Sequence, residues 1–130
     1  MRAIDTNVIV RFLLKDHPAQ AEVAEQVVAG GAFISTTVLL EAGWLLGSRY
    51  ALTRQQLVAA LRALMSIDTL YIDAADLFAW AIDRYEDGAD IADMLHLVSS
   101  ASADSFATFD RALAKRAGDS PPLPIETLEA

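Results

Sequence analysis

The chain contains no cysteine and only two histidines, His17 and His96. Disulfides and thiolate metal sites are thereby excluded, and a histidine-rich zinc site lacks ligands. A cysteine-free chain fits an intracellular setting, and the expected location is the cytoplasm. Proline and glycine are sparse, at four and six residues, so no stretch has linker or low-complexity composition. No apolar run approaches the roughly 18 residues of a membrane span. The apolar stretch 9–14 follows Asp5 and is broken by Arg11, so the start does not read as a secretory leader. Basic residues are few: Lys and Arg total 10 against 18 Asp and Glu, for a net charge of −8. That balance disfavours non-specific binding to nucleic acid. It leaves a nucleic-acid substrate open, because local clusters govern docking and acids that hold cations are neutralised.

What is present is apolar sequence in short, punctuated pieces. Hydrophobic residues make up 54% of 130 residues, which suits a single packed domain over 1–130. Ala3-Ile4 reads as the end of a buried strand that delivers Asp5 to a sheet edge. A helix follows to about Lys15, with Val8, Phe12 and Leu13 in one register. Asp16-His17-Pro18 reads as a stop and a new start, with Asp16 or His17 as N-cap and Pro18 in the first turn. The second helix carries Val23, Ala24, Val27 and Val28 on one face and ends at Gly30-Gly31. Phe33-Ile34-Ser35 suggests a short strand, and Thr36 or Thr37 opens an apolar helix ending near Gly47. Thr53 is placed to cap a helix over 54–65 with Leu57, Leu61 and Leu64 as its stripe. Leu70-Tyr71-Ile72 is a strand, Asp73 a cap for the next helix, and Asp87-Gly88 its end. Asp90 caps a helix over 91–100. Ser105 to Phe109 forms a strand ending at Asp110, and a brief helix runs from Arg111 to Ala117, stopped by Gly118. Pro121-Pro122-Leu123-Pro124-Ile125 offers at most an edge strand. Short strands alternating with helices predict an α/β fold with a mostly parallel sheet. In such a sheet ligands gather at the carboxyl ends of the strands.

Four acids stand out, each with two readings. Asp5 and Asp110 follow strands, and each is equally a helix cap. Asp93 lies three residues after Asp90, the N3 place where an acid also suits a helix terminus. Glu41 lies beyond the first turn of its helix, and Val38, Glu41, Ala42 and Leu45 follow helical spacing on one face. An ionised Glu on an apolar face needs a partner or a metal, unless it sits at the margin and reaches water or an Arg. Carboxylates that converge raise one another's pKa unless a cation neutralises them. Oxygen-only donors favour Mg2+ or Mn2+, whose characteristic work is displacement at phosphorus by an activated water.

These residues resemble the PIN-domain ribonucleases, and among them the VapC-type toxins of toxin–antitoxin pairs. The resemblance rests on Ile4-Asp5-Thr6-Asn7, Thr37-Val38-Leu39-Leu40-Glu41, Asp90-Ile91-Ala92-Asp93-Met94-Leu95-His96 and Thr108-Phe109-Asp110. It covers essentially the whole chain, in order. It implies a PIN-like three-layer sandwich, with a mostly parallel central sheet flanked by helices. It also implies a Mg2+- or Mn2+-dependent endoribonuclease with Asp5, Glu41, Asp93 and Asp110 as metal-site acids. Asp110 is then expected to act less directly, through water or a second metal. Thr6 and Asn7 match the polar pair after the first acid, with Asn7 expected to bond other site carboxylates. Thr108 matches the hydroxyl residue before the last acid. The implied partners are RNA, a small VapB-like antitoxin that blocks the acidic groove, and a second copy in a homodimer, with no membrane involved.

Other residues carry weaker signals. His96 follows Asp93 by three and reads either as a general base or as a structural histidine. Arg11, Lys15, Arg111, Lys115 and Arg116 either hold RNA phosphates or form ordinary solvated helix faces. Trp44, Tyr50 and Trp80 suit the core or an interface better than base stacking. Two other function classes remain. A phosphotransfer receiver or phosphatase fits poorly, because Asp5 lacks an adjacent second acid and no Lys stands at a late strand end. A catalytically silent PIN-fold binding module is the other.

Overall fold

A computed structural model describes residues 1–130. The chain divides into two compact units, Met1–Ala75 and Asp76–Ala130. Every strand pairing is parallel, and the fold is α/β. The strands form two sheets, one of three strands and one of two.

In the first unit, β1 (Arg2–Ala3), β2 (Ala32–Ile34) and β3 (Leu70–Ile72) lie in the order β1-β2-β3. The register pairs Ala3 with Phe33 and Phe33 with Tyr71. The strand ladder barely reaches β1, yet the Ile4 amide still donates to the Phe33 carbonyl at 3.0 Å. Asp5 is therefore presented at the carboxyl edge of the sheet.

Helix α1 (Thr6–Leu14) starts there and ends at Lys15, whose φ of 55° turns the chain out of the helix. His17 caps α2 (Pro18–Ala29), with Pro18 in the first turn, where its missing N–H removes no helix bond. Its buried side is Ala21, Ala24 and Val28, whereas Val23, expected on that face, is 58% exposed.

Ser35, one residue before the expected pair of threonines, caps α3 (Thr36–Ser48). Thr53 and Gln56 form a reciprocal capping box at the start of α4 (Arg54–Met65), which buries Leu57, Val58, Leu61 and Leu64.

The second unit is built on α5 (Ala75–Glu86), α6 (Ile91–Ser99) and α7 (Leu113–Ala117), with β4 (Phe106–Thr108) paired to β5 (Ile125–Thr127). Asp73 does not cap α5. Ala74, at φ 48°, separates it from the helix, and Asp73 instead accepts from the Thr36 hydroxyl at 3.3 Å. Helix α6 buries Ile91, Met94, Leu95, Leu97 and Val98, leaving Asp93 half-buried and His96 exposed. The end of α7 is closed by Gly118 at φ 78° and by Arg84, whose Nε donates to the Arg116 carbonyl at 2.8 Å.

Candidate functional site

In the first unit, parallel strands set two helix starts side by side. Asp5 caps α1, its Oδ1 accepting from the Val8 amide at 3.1 Å. The next residue, Thr6, is the chain's one buried polar side chain, at 5% exposure. Its hydroxyl donates to Glu41 Oε1. Residues 35 positions apart are thus tied together, and Glu41 is held beside the α1 terminus that Asp5 caps.

The position of Glu41 decides between its two readings in favour of the helix margin. It is exposed, and the buried stripe of α3 is Leu39, Ala42, Gly43 and Leu46. Helical spacing alone left the phase of that stripe open, and the core took the side next to Glu41. Burial therefore does not force a partner on Glu41, and the contact with Thr6 is its distinguishing feature. The role expected of Asn7 also falls to Thr6. Asn7 is exposed and lines an open groove of about 430 Å3 between α1 and α2, with Val8, Val23 and Val27.

The second unit gathers Asp90, Asp93 and Asp110. Asp90 caps α6, its Oδ1 accepting from the amides of Ala92 at 2.7 Å and Asp93 at 3.3 Å. Asp110 turns the chain after β4. Its amide donates to the Thr108 hydroxyl at 3.0 Å, and its Oδ1 accepts from the Ala112 amide at 2.9 Å. Thr108 therefore fixes the backbone of the acid that follows. The Asp93 carboxyl is pushed above its usual range, first by partial burial and then by the negative charges of Asp90 and Asp110. His96 and Arg116 pull the other way. Like charges that raise a pKa are an arrangement a cation relieves.

Capping and ion binding are not rivals at these residues. Asp5, Asp90 and Asp110 each engage one carboxylate oxygen with backbone amides, through Oδ1. Oδ2 of each is left for another partner. In neither unit do three acids or histidines close into a ready-made ion cage.

The cations divide sharply. The Arg11 guanidinium bonds Gln20 at 2.8 Å, Asp16 at 3.2 Å and the Tyr50 hydroxyl at 3.3 Å. The Tyr50 bond contributes most to holding its pKa above the usual value. Lys15 pairs with Glu25 at 2.6 Å. Arg111 and Lys115 are exposed and make no such pairs. Among aromatics, Trp80 and Tyr50 are half-buried and Trp44 is 66% exposed. Phe109, between Thr108 and Asp110, is 67% exposed and was not singled out from sequence. Asp73, directly after β3, lies at the same sheet edge as Ser35 and Thr36, and its place at a strand end is the signal for it.

No curated protein and no solved structure matches the chain. The family model for the PIN domain matches residues 3–119, running through both units and stopping short of β5. The chain therefore belongs to the PIN domain family, whose members are generally nucleases.

Proposed function

We propose that this chain is a metal-dependent endoribonuclease that hydrolyses RNA phosphodiester bonds. Its proposed acids are Asp5, Glu41, Asp93 and Asp110. The observation that carries the reading is Asp93. It is a half-buried carboxylate whose ionised form is disfavoured by burial and by two neighbouring acids. The donors are oxygens only, which suits Mg2+ or Mn2+. When bound, such an ion acidifies a water and screens charge on the phosphate and leaving oxygen.

The chain's own residues do the positioning. Thr6 holds Glu41 by its hydroxyl, and Thr108 fixes the backbone at Asp110. Arg11 and Lys15 are engaged with Asp16 and Glu25, so phosphate contacts fall to Arg111 and Lys115.

The reading extends to the toxin of a type II toxin–antitoxin pair, acting in the cytoplasm as a homodimer with a VapB-like antitoxin. The ordered motifs support this, and exposed Trp44 offers apolar surface to a partner. No helix is long and apolar enough to cross a membrane.

Incubation with a total RNA pool tests the proposal. Cleavage is expected with Mg2+ or Mn2+, lost with chelator and restored by adding the ion back. A binding module would cut no RNA under any of these conditions. A receiver would instead take up phosphate from a small phosphodonor.

A further inference from the structure

Helix α1 is tied at two points to α3 and the turn that follows it. At its start the Thr6 hydroxyl holds Glu41. Further along, about 7.5 Å by the helical rise, the Arg11 guanidinium donates to the Tyr50 hydroxyl. The two bonds span 35 and 39 positions of sequence. Both ends of the second bond are firmly held. Arg11 also donates to Gln20 at 2.8 Å and to Asp16 at 3.2 Å, so its planar fork has one direction. The Tyr50 amide donates to the Leu45 carbonyl at 3.3 Å and the Leu52 amide to the Leu46 carbonyl at 3.0 Å, fastening the turn back onto α3. Ala51 lies between them at φ 54°, a conformation that an L residue rarely adopts. Partly exposed networks of this kind add little to stability. What this one adds is alignment. Helix α1 buries only Thr6, Ile9 and Val10, and with a bond at each end it cannot roll or slide against α3 without breaking one.

We infer that Arg11 and Tyr50 are positioning residues for Glu41, holding the alignment of α1 with α3 in which Thr6 orients that carboxylate. The inference rests on the nuclease reading and deepens it. It gives Arg11 a task other than the phosphate contact expected from sequence. Neither side chain touches the reacting atoms, and the effect reaches the chemistry through Thr6. A displacement of about 1 Å near a reacting group can cost about 100-fold in rate, and a partial loosening of α1 costs less than loss of the Thr6 hydroxyl itself.

The test follows RNA cleavage by the full chain in Mg2+ across a range of RNA concentrations. Tyr50→Phe removes the hydroxyl alone and is expected to lower kcat about 5- to 20-fold, with KM within about 2-fold of wild type. Its melting temperature stays within about 2 °C of wild type, because the lost bond is partly exposed. Arg11→Lys keeps the charge, loses the fork and is expected to match Tyr50→Phe. Thr6→Val combined with Tyr50→Phe should cut no more than about 2-fold slower than Thr6→Val alone, because both act through Glu41. Wild-type kcat in Tyr50→Phe, or losses that multiply in the double variant, overturns the inference. So does a raised KM at wild-type kcat, which would place Arg11 and Tyr50 on the RNA. In each of those outcomes wild type still cuts RNA, and the nuclease reading stands. Wild type that cuts no RNA overturns the nuclease reading and this inference together.

Discussion

Replacing Thr6 separates what its hydroxyl does for the fold from what it does for Glu41. Thr6 is buried at 5% exposure and its hydroxyl bonds Glu41, which is itself exposed. In Thr6→Val the shape is kept and the donor is lost. A buried hydrogen bond to a charged group is worth about 1.5–3 kcal/mol. Here most of that is recovered, because the freed Glu41 oxygen meets water. The added apolar group contributes roughly 0.8 kcal/mol in return. The net change is expected within about 1 kcal/mol, or about 3–5 °C in melting temperature for a chain of this size. Thr6→Ser keeps the donor and removes a buried methyl, lowering stability by about 1 kcal/mol. Catalysis should order the variants the other way. Freed from its hydroxyl, Glu41 loses its orientation, and Thr6→Val should cut RNA about 10- to 100-fold more slowly, while Thr6→Ser stays near wild type. Thermal denaturation and initial cleavage rates, measured side by side, decide the matter. Valine and wild type cutting equally fast, or serine losing as much as valine, would refute the role assigned to this hydrogen bond.

Two further outcomes follow from the second unit. Gly118 has φ 78° and ψ −161°, a region essentially reserved for glycine, and an added Cβ would lie 3.1 Å from Arg84 Cζ. Gly118→Ala should lower stability by about 1–3 kcal/mol, read by chemical denaturation, and a wild-type midpoint would show that the turn adapts freely. Asp93→Asn should stabilise the protein in chelator. The folded Asp93 carboxyl titrates above its ordinary value of 3.8, so the ionised form is the disfavoured one. The difference between variant and wild type should be small below that ordinary value and grow as pH rises through the raised one. Melting curves across that range check the sign, and added Mg2+ should raise the wild-type melting temperature more than that of Asp93→Asn.

Local chemistry was readable from the residues, and long-range choices were not. Pro18 after His17, the Thr53–Gln56 box and the Asp90 cap are decided within a few residues, and each forms as its own side chains dictate. The order of strands and helices is likewise written in short apolar runs and their breaks. Which side of a helix meets the core is decided elsewhere. The neighbours of α3 chose Leu39 and Ala42 over the face holding Glu41, and those of α2 turned Val23 to solvent. The bond from Thr6 to Glu41 spans 35 positions and leaves no mark in either local pattern. Phe109 was hidden for the opposite reason. An aromatic residue in an apolar strand reads as core, and only the turn after Thr108 leaves it exposed.

The central claim, proposed above, is that Asp5, Glu41, Asp93 and Asp110 serve a metal-dependent cleavage of RNA. The most direct measurement is the rate of RNA cleavage at saturating Mg2+ by wild type, Asp5→Asn and Asp93→Asn, with folding verified by circular dichroism. Each substitution should reduce the rate about 100-fold or more with the fold intact, because each removes charge where a preorganised site needs it. Wild-type cleavage by either folded variant would contradict the claim.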